Sequence, residues 1–169
     1  MIGQSIQANL KGHPLMRAMF IEFPDDRTTH YKSGGPNLLV APVFVPLGEE
    51  SEYYVPAGKW TSFWDPAKTV EGPRWVREHV AIDEIPVLVR PGSALALGPE
   101  GTGRADYDYT RGLEVRAYGL EVDGPAVVVD VPVGKGTGLA GKIRVRKGQN
   151  MEVGVEADEG IEVVNSVCF

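Results

Sequence analysis

The sequence predicts a mainly β protein built from antiparallel β-sandwich units. Three observations carry that reading. Apolar residues come either in short unbroken runs, as in Leu38-Leu39-Val40-Ala41, or in strict alternation, as in Leu113-Glu114-Val115-Arg116-Ala117-Tyr118. The first pattern fits a strand buried on both faces, and the second a strand with one wet face. The segments are short and separated by turn residues, and with aliphatic runs between them the 21 Gly and 13 Pro read as many turns and not as disorder. Finally, hydrophobic residues at 43% and charged residues at 24% are ordinary for a globular chain. A chain of 169 residues makes one large domain or two small ones.

The elements follow in order. Ile2, Ile6 and Leu10 recur at helical spacing, so Met1 to Lys11 is read as a short helix ended by Gly12, with Pro14 just beyond. Leu15 to Phe23 is an apolar stretch read as a strand, with helix as the rival because of its Met and Ala; Pro24-Asp25-Asp26 ends it. Thr28 to Gly35 is a loop. Leu38 to Ala41 is a strand closed by Pro42, and Val43 to Val45 continues it. After the polar turn Gly48 to Ser51, Glu52 to Val55 is a strand stopped by Pro56, Ala57-Gly58 is a turn, and Lys59 to Trp64 is another strand. Val70 to Val80, Ile85 to Arg90 and Ser93 to Leu97 complete a first unit, and Gly98 to Gly103 is the expected domain boundary. Beyond it, Leu113 to Tyr118, Ala126 to Val131, Lys142 to Arg146, Met151 to Val155 and Ile161 to Val164 form a second antiparallel unit.

Charge and composition exclude several functions. A net charge of −6 and a pI near 5.1 argue against nucleic acid or an anionic membrane as a partner. Cys168 is the single cysteine, so no internal disulfide can form. No run approaches the ~20 apolar residues of a membrane-spanning helix. The N-terminus has no basic segment followed by an apolar stretch, so it does not read as a secretory signal.

His13, His30 and His79 lack metal-ligand spacing, and Cys168 has no basic neighbour to stabilise a thiolate. Gly136-Thr137-Gly138-Leu139-Ala140-Gly141 spells G-x-G-x-x-G, but Lys142 to Arg146 follows as strand, and without a helix N-terminus there is nothing to hold a pyrophosphate. It is read as a hairpin loop. Trp60, Trp64 and Trp75 with Tyr53, Tyr54 and Phe63 are concentrated in one region. They are read as core and packing residues, with a sugar-stacking face as the alternative. Trp60 and Trp64 share parity, which places them on one side of a strand.

Three blocks also carry a family resemblance. Leu38 to Phe44 (LLVAPVF) followed by Tyr53 to Asp65 (YYVPAGKWTSFWD) resembles the segment after the catalytic barrel in glycoside hydrolase family 31, the α-glucosidases and α-xylosidases. GHPLMRAMFIEFPDD, from Gly12 to Asp26, and PVLVRPGSALALG, from Pro86 to Gly98, match the same pattern in the same order. EFPDD, RWVREH and DYDYTRG resemble the α-xylosidase branch best. The resemblance implies a remnant of the last β/α unit of a TIM barrel over residues 1–33, a proximal C-terminal β-sandwich over 34–98, and part of a distal one over 103–169.

The resemblance implies hydrolysis of α-linked xylosides or glucosides by a retaining route without metal or cofactor. It also implies that the nucleophile and acid/base aspartates, on the fourth and sixth barrel strands, precede Met1. Asp25-Asp26 is the one acidic pair beside an apolar segment end, but adjacent turn residues diverge and do not flank one glycosidic bond, so it is read as a solvated turn. No catalytic, cofactor-binding or metal residue is therefore expected in this chain. Carbohydrate is the expected partner, through the barrel. The rival reading is a non-catalytic module that binds carbohydrate or braces a partner domain. Leu15, Met16, Met19, Phe20, Ile21 and Phe23, read as a barrel strand without its neighbours, predict self-association.

Overall fold

A computed structural model describes residues 2–12, 14–31, 33–34, 37–46, 48–99, 101, 107–134, 138–150 and 152–169. In chain order the elements are α1 (Ile2–Lys11), β1 (Arg17–Ala18), α2 (Met19–Glu22), a 3-10 turn (Arg27–Tyr31), β2 (Ser33–Gly34), β3 (Leu38–Val40), β4 (Glu50–Ser62), β5 (Thr69–His79), β6 (Val87–Val89), β7 (Ser93–Leu97), β8 (Leu113–Tyr118), β9 (Val127–Pro132), β10 (Leu139–Lys147), β11 (Val153–Ala157) and β12 (Val163–Cys168). The strands are mostly antiparallel, as expected. Contacts divide the chain into two units, Met16–Pro91 and Met1–Leu15 with Gly92–Phe169.

In the Met16–Pro91 unit, four strands lie in the order β3-β6-β4-β5. The long β4 pairs with β5 from Glu50↔His79 to Thr61↔Thr69, with a register shift between Val55 and Gly58. Pro56 therefore does not end a strand, contrary to expectation. It sits in the irregular step, where its missing N–H removes no regular ladder bond. The partner strand makes the step possible: a Cβ on Gly72 would lie 2.0 Å from the Pro56 carbonyl oxygen. The core gathers Met19, Leu39, Tyr53, Val55, Trp60 and Leu88. Trp60 is 1% exposed, and its Nε1 donates to the Pro56 carbonyl at 3.0 Å.

The Leu15–Phe23 stretch is only briefly strand. β1 pairs antiparallel with β2, and Met19–Glu22 then makes one helical turn, closed by Phe23 N–H donating to Met19 O at 2.9 Å. Burying Met19 at 2% exposure decides the matter locally. The turn brings Met19 inward, while Met16, Phe20 and Ile21 remain exposed.

The second unit packs two three-stranded sheets, β12-β8-β7 and β11-β10-β9. Leu113, Val115 and Ala117 of β8 meet Val131, Ile143 and Val145 from the facing sheet in one core, a sandwich arrangement. Glu114 and Arg116, which alternate with the inward residues of β8, are more exposed, as the pattern predicts. α1 packs against β9 with Ile6 buried. Gly12, at φ 72°, ends α1 with its N–H on Ala8 O at 2.8 Å, as expected of that glycine.

Two features of this unit differ from expectation. β7 pairs with β8 from Ser93↔Tyr118 to Leu97↔Glu114, so Ser93–Leu97, expected to complete the first unit, joins the C-terminal strands instead. β12 runs parallel to β8. The chain leaves β11 in one sheet and enters the other in the direction of β8. Glu162 N–H donates to Thr110 O at 2.7 Å on entry, and Phe169 N–H to Ala117 O at 2.9 Å on exit.

Candidate functional site

The acidic pair of the sequence separates into two environments. Asp25 is exposed. Asp26 is half-buried, and both its carboxylate oxygens hold structure: Oδ1 accepts the Thr28 N–H at 3.0 Å and Oδ2 the Tyr54 hydroxyl at 2.6 Å. Burial, and then the bond to Asp26, push the Tyr54 phenol above its ordinary value. Thr29, fully buried, donates its hydroxyl to the Asp26 carbonyl at 2.7 Å. Asp26 thus ties the 3-10 turn to β4.

The other sequence candidates remain apart. His79 is exposed, with Nε2 4.0 Å from Glu50. His13 lies outside the described residues. Cys168 is a free, half-buried thiol on β12. Of the G-x-G-x-x-G stretch, Gly136 and Thr137 lie outside the described residues, and Leu139–Gly141 opens β10, antiparallel to β9. Among the described residues no group of three His, Cys, Asp or Glu side chains could hold a metal ion.

The aromatic residues divide sharply. Trp60 and Tyr53 are core, whereas Trp64 and Trp75 are 65% and 49% exposed. Shared parity did not put Trp64 beside Trp60, because β4 ends at Ser62 and alternation ends with it. Trp64 instead donates Nε1 to the Ile85 carbonyl at 2.9 Å and meets the Phe63 ring edge-on at 4.9 Å between centroids.

Trp64 stands on a groove of about 470 Å³ whose walls include Tyr53, Lys68, Glu78, Asp83 and Ile85. Glu78 Oε1 accepts the Tyr53 hydroxyl at 2.7 Å, and its other oxygen pairs with the Lys68 ammonium. Burial alone would raise the Glu78 carboxyl, but the bonds from Lys68 and Tyr53 outweigh it and hold the group below its ordinary value. Burial, then the Glu78 hydrogen bond and charge, push the Tyr53 phenol far up. The groove therefore presents an ionised carboxylate, an ammonium and an indole held in place. The sequence reading named Trp64 and Tyr53 but missed Lys68, just before β5, and Glu78, near the far end of that strand, whose contact ten residues apart leaves no local signal.

A second polar cluster holds α2. Glu22 accepts from Arg17 at 3.1 Å and from Arg90 at 3.3 Å, and the Arg90 guanidinium lies 4.6 Å above the Phe23 ring.

The Met16–Pro91 unit thus has an aromatic core on an antiparallel sheet, and the other unit an aliphatic core between two sheets. Residues 12–95 match the model of the glycosyl hydrolase family 31 C-terminal domain, and the chain belongs to that family. It is 35% identical over 165 residues to the alpha-xylosidase XylQ of Lactiplantibacillus pentosus, covering 92% of this chain and 19% of that protein. An alpha-xylosidase of Emericella nidulans is 38% identical over 118 residues, covering 60% and 15%. The chain thus spans about a fifth or less of the length of these curated relatives. The fold is shared with a family 31 dextranase of Flavobacterium johnsoniae solved with glucose, at a TM-score of 0.75 and 22% identity over 92% of this chain and 20% of that one. It is also shared with the alpha-xylosidase of Xanthomonas citri, at 0.72 and 24% over 95% and 19%.

Proposed function

We propose that this chain serves as the C-terminal β part of a retaining family 31 glycosidase acting on α-linked xylosides or glucosides, with xylosides favoured. The supporting observation is the identity to an alpha-xylosidase across 92% of the chain. In this reading residues 1–33 end the catalytic barrel, the strands from 34 up to β6 form its proximal β region, and β7 joins 103–169 in the distal one. The catalytic carboxylates are supplied by the barrel, and none of the described residues of this chain is assigned to a metal or cofactor. Asp25 and Asp26 are not catalytic: Asp26 has both oxygens engaged by Thr28 and Tyr54. Carbohydrate reaches the whole enzyme through its barrel. Met16, Phe20 and Ile21, exposed around α2, form an apolar face for the barrel and promote self-association of the chain alone.

Purified alone, the chain is expected to give no turnover of aryl α-xylosides or α-glucosides. Supplied to a family 31 α-xylosidase shortened by the matching region, it is expected to restore soluble, active enzyme. Turnover by the chain alone that disappears in Asp25→Asn or Asp26→Asn would overturn the proposal.

A further inference from the structure

We propose that the groove beside Trp64 is a binding site for a neutral saccharide, whose pyranose ring stacks on the indole while its hydroxyls bind Lys68 and Glu78. The choice of α-linked ligands rests on the proposed function; the site itself rests on the groove.

The Trp64 indole is 65% exposed and lines the groove, so it offers a flat apolar face to a ligand. It is also fixed, by its Nε1 bond to Ile85 and the Phe63 ring at its side, so little side-chain freedom is lost on binding. The apolar C–H face of a pyranose is complementary to such a ring, and the volume of about 470 Å³ falls within the range of small-molecule sites.

The polar wall selects the ligand. Asp65, Glu78, Asp83 and Glu84 outnumber Lys68 in the lining, which disfavours sugar acids and phosphates. A cation is disfavoured by the ammonium already seated on Glu78, and no metal-binding group occurs among the described residues. What remains matched is a ligand with both donors and acceptors and no charge. Glu78 is ionised at neutral pH and accepts from hydroxyls, and Lys68, half exposed, donates to them.

The test is a titration of the 169-residue chain with isomaltose, with methyl α-xyloside and, as a cationic control, with choline, followed by tryptophan fluorescence and calorimetry. The expected result is saturable binding of a sugar and none of choline. Trp64→Ala is expected to weaken it roughly tenfold or more, since both the stacking face and its buried apolar area are lost. Trp75→Ala, which removes an exposed ring outside the groove, is expected to leave binding unchanged. Both variants should melt like the parent. No saturable sugar binding, equal loss in Trp75→Ala, or preferential binding of choline would each overturn the proposal. Because the readout is binding by the chain alone, failure here leaves the restoration of xylosidase activity as a separate result.

Discussion

The two units reach stability by different means. The Met16–Pro91 unit ties its aromatic side chains by polar handles at fixed points: Trp60 to the Pro56 carbonyl, Tyr53 to Glu78, Tyr54 to Asp26. The other unit packs Leu113, Val115, Val131, Ile143 and Val145 between two sheets, with no such handle among them. An aliphatic core spreads its energy over many interchangeable contacts, whereas an anchored aromatic core concentrates it in a few that leave a polar atom stranded when lost. The family model matches residues 12–95, which cover the whole of the anchored unit.

The sharpest way to break this contrast is at two strand glycines. In Gly72→Ala the new methyl would stand 2.0 Å from a backbone oxygen of β4, so the β4–β5 ladder must open. A loss of about 4 kcal/mol or more is expected, in the range of severe backbone conflicts. In Gly154→Ala the nearest atom is the Arg146 carbonyl oxygen at 4.0 Å, and the change should be neutral or slightly stabilising. Amide exchange read separately over β4–β5 and β10–β11 checks both. Equal tolerance at the two sites would remove the contrast between the two units.

A smaller effect separates the cores themselves. Trp60→Ala is expected to cost about 3–5 kcal/mol, as removal of a buried indole does. The conservative pair is more telling. Trp60→Phe keeps a ring but leaves the buried Pro56 carbonyl without its donor, at about 1–3 kcal/mol. Ile143→Val removes only a methylene, at about 0.5–1.5 kcal/mol. Denaturant midpoints measured by circular dichroism would show the ordering, and a Trp60→Phe variant as stable as the parent would show that packing alone holds the indole.

How much of this was legible follows from what each signal depends on. The strands of the aliphatic unit were readable because Leu113, Val115 and Ala117 alternate with Glu114 and Arg116, and a period of two reports two faces directly. The end of α1 was readable because Gly12 needs only its own backbone. Pro56 was misread as a stop because its tolerance depends on Gly72 across the ladder, which no local window contains. Trp64 was misplaced because parity holds only while the strand lasts, and β4 ends at Ser62. The direction of β12 depends on which sheet the chain crosses into after β11, which its own alternation does not encode. Of the groove, the ring was visible in the sequence but its polar wall was not, since Lys68 and Glu78 stand near opposite ends of β5, ten residues apart, and no periodicity of the strand signals their contact.

The finest comparison is in acid. Glu78 is held below its ordinary value of 4.5 by Lys68 and Tyr53, so its contribution is fully present above about that pH and is lost as pH falls through the lower folded value. Asp158 in the other unit is also lowered, first by its hydrogen bond from Arg144, but both partners are well exposed and water screens the pair. The three tryptophans all lie in Met16–Pro91, so their fluorescence follows the anchored unit alone. Glu78→Gln is expected to lower the fluorescence midpoint at pH 7 by about 1 kcal/mol, after allowing for partial solvent screening, and to flatten its decline below pH 4.5. Asp158→Asn should leave that profile unchanged. At the alkaline end the sign reverses. The raised Tyr53 phenol keeps its proton in the folded state, so stability declines as pH rises past 10, where the unfolded phenol ionises first. Tyr53→Phe should make that decline shallower, while the Tyr54 phenol, also raised, keeps part of it. If Glu78→Gln and Tyr53→Phe left both limbs as steep as in the parent, the Tyr53–Glu78–Lys68 chain would not be what anchors β4 to β5.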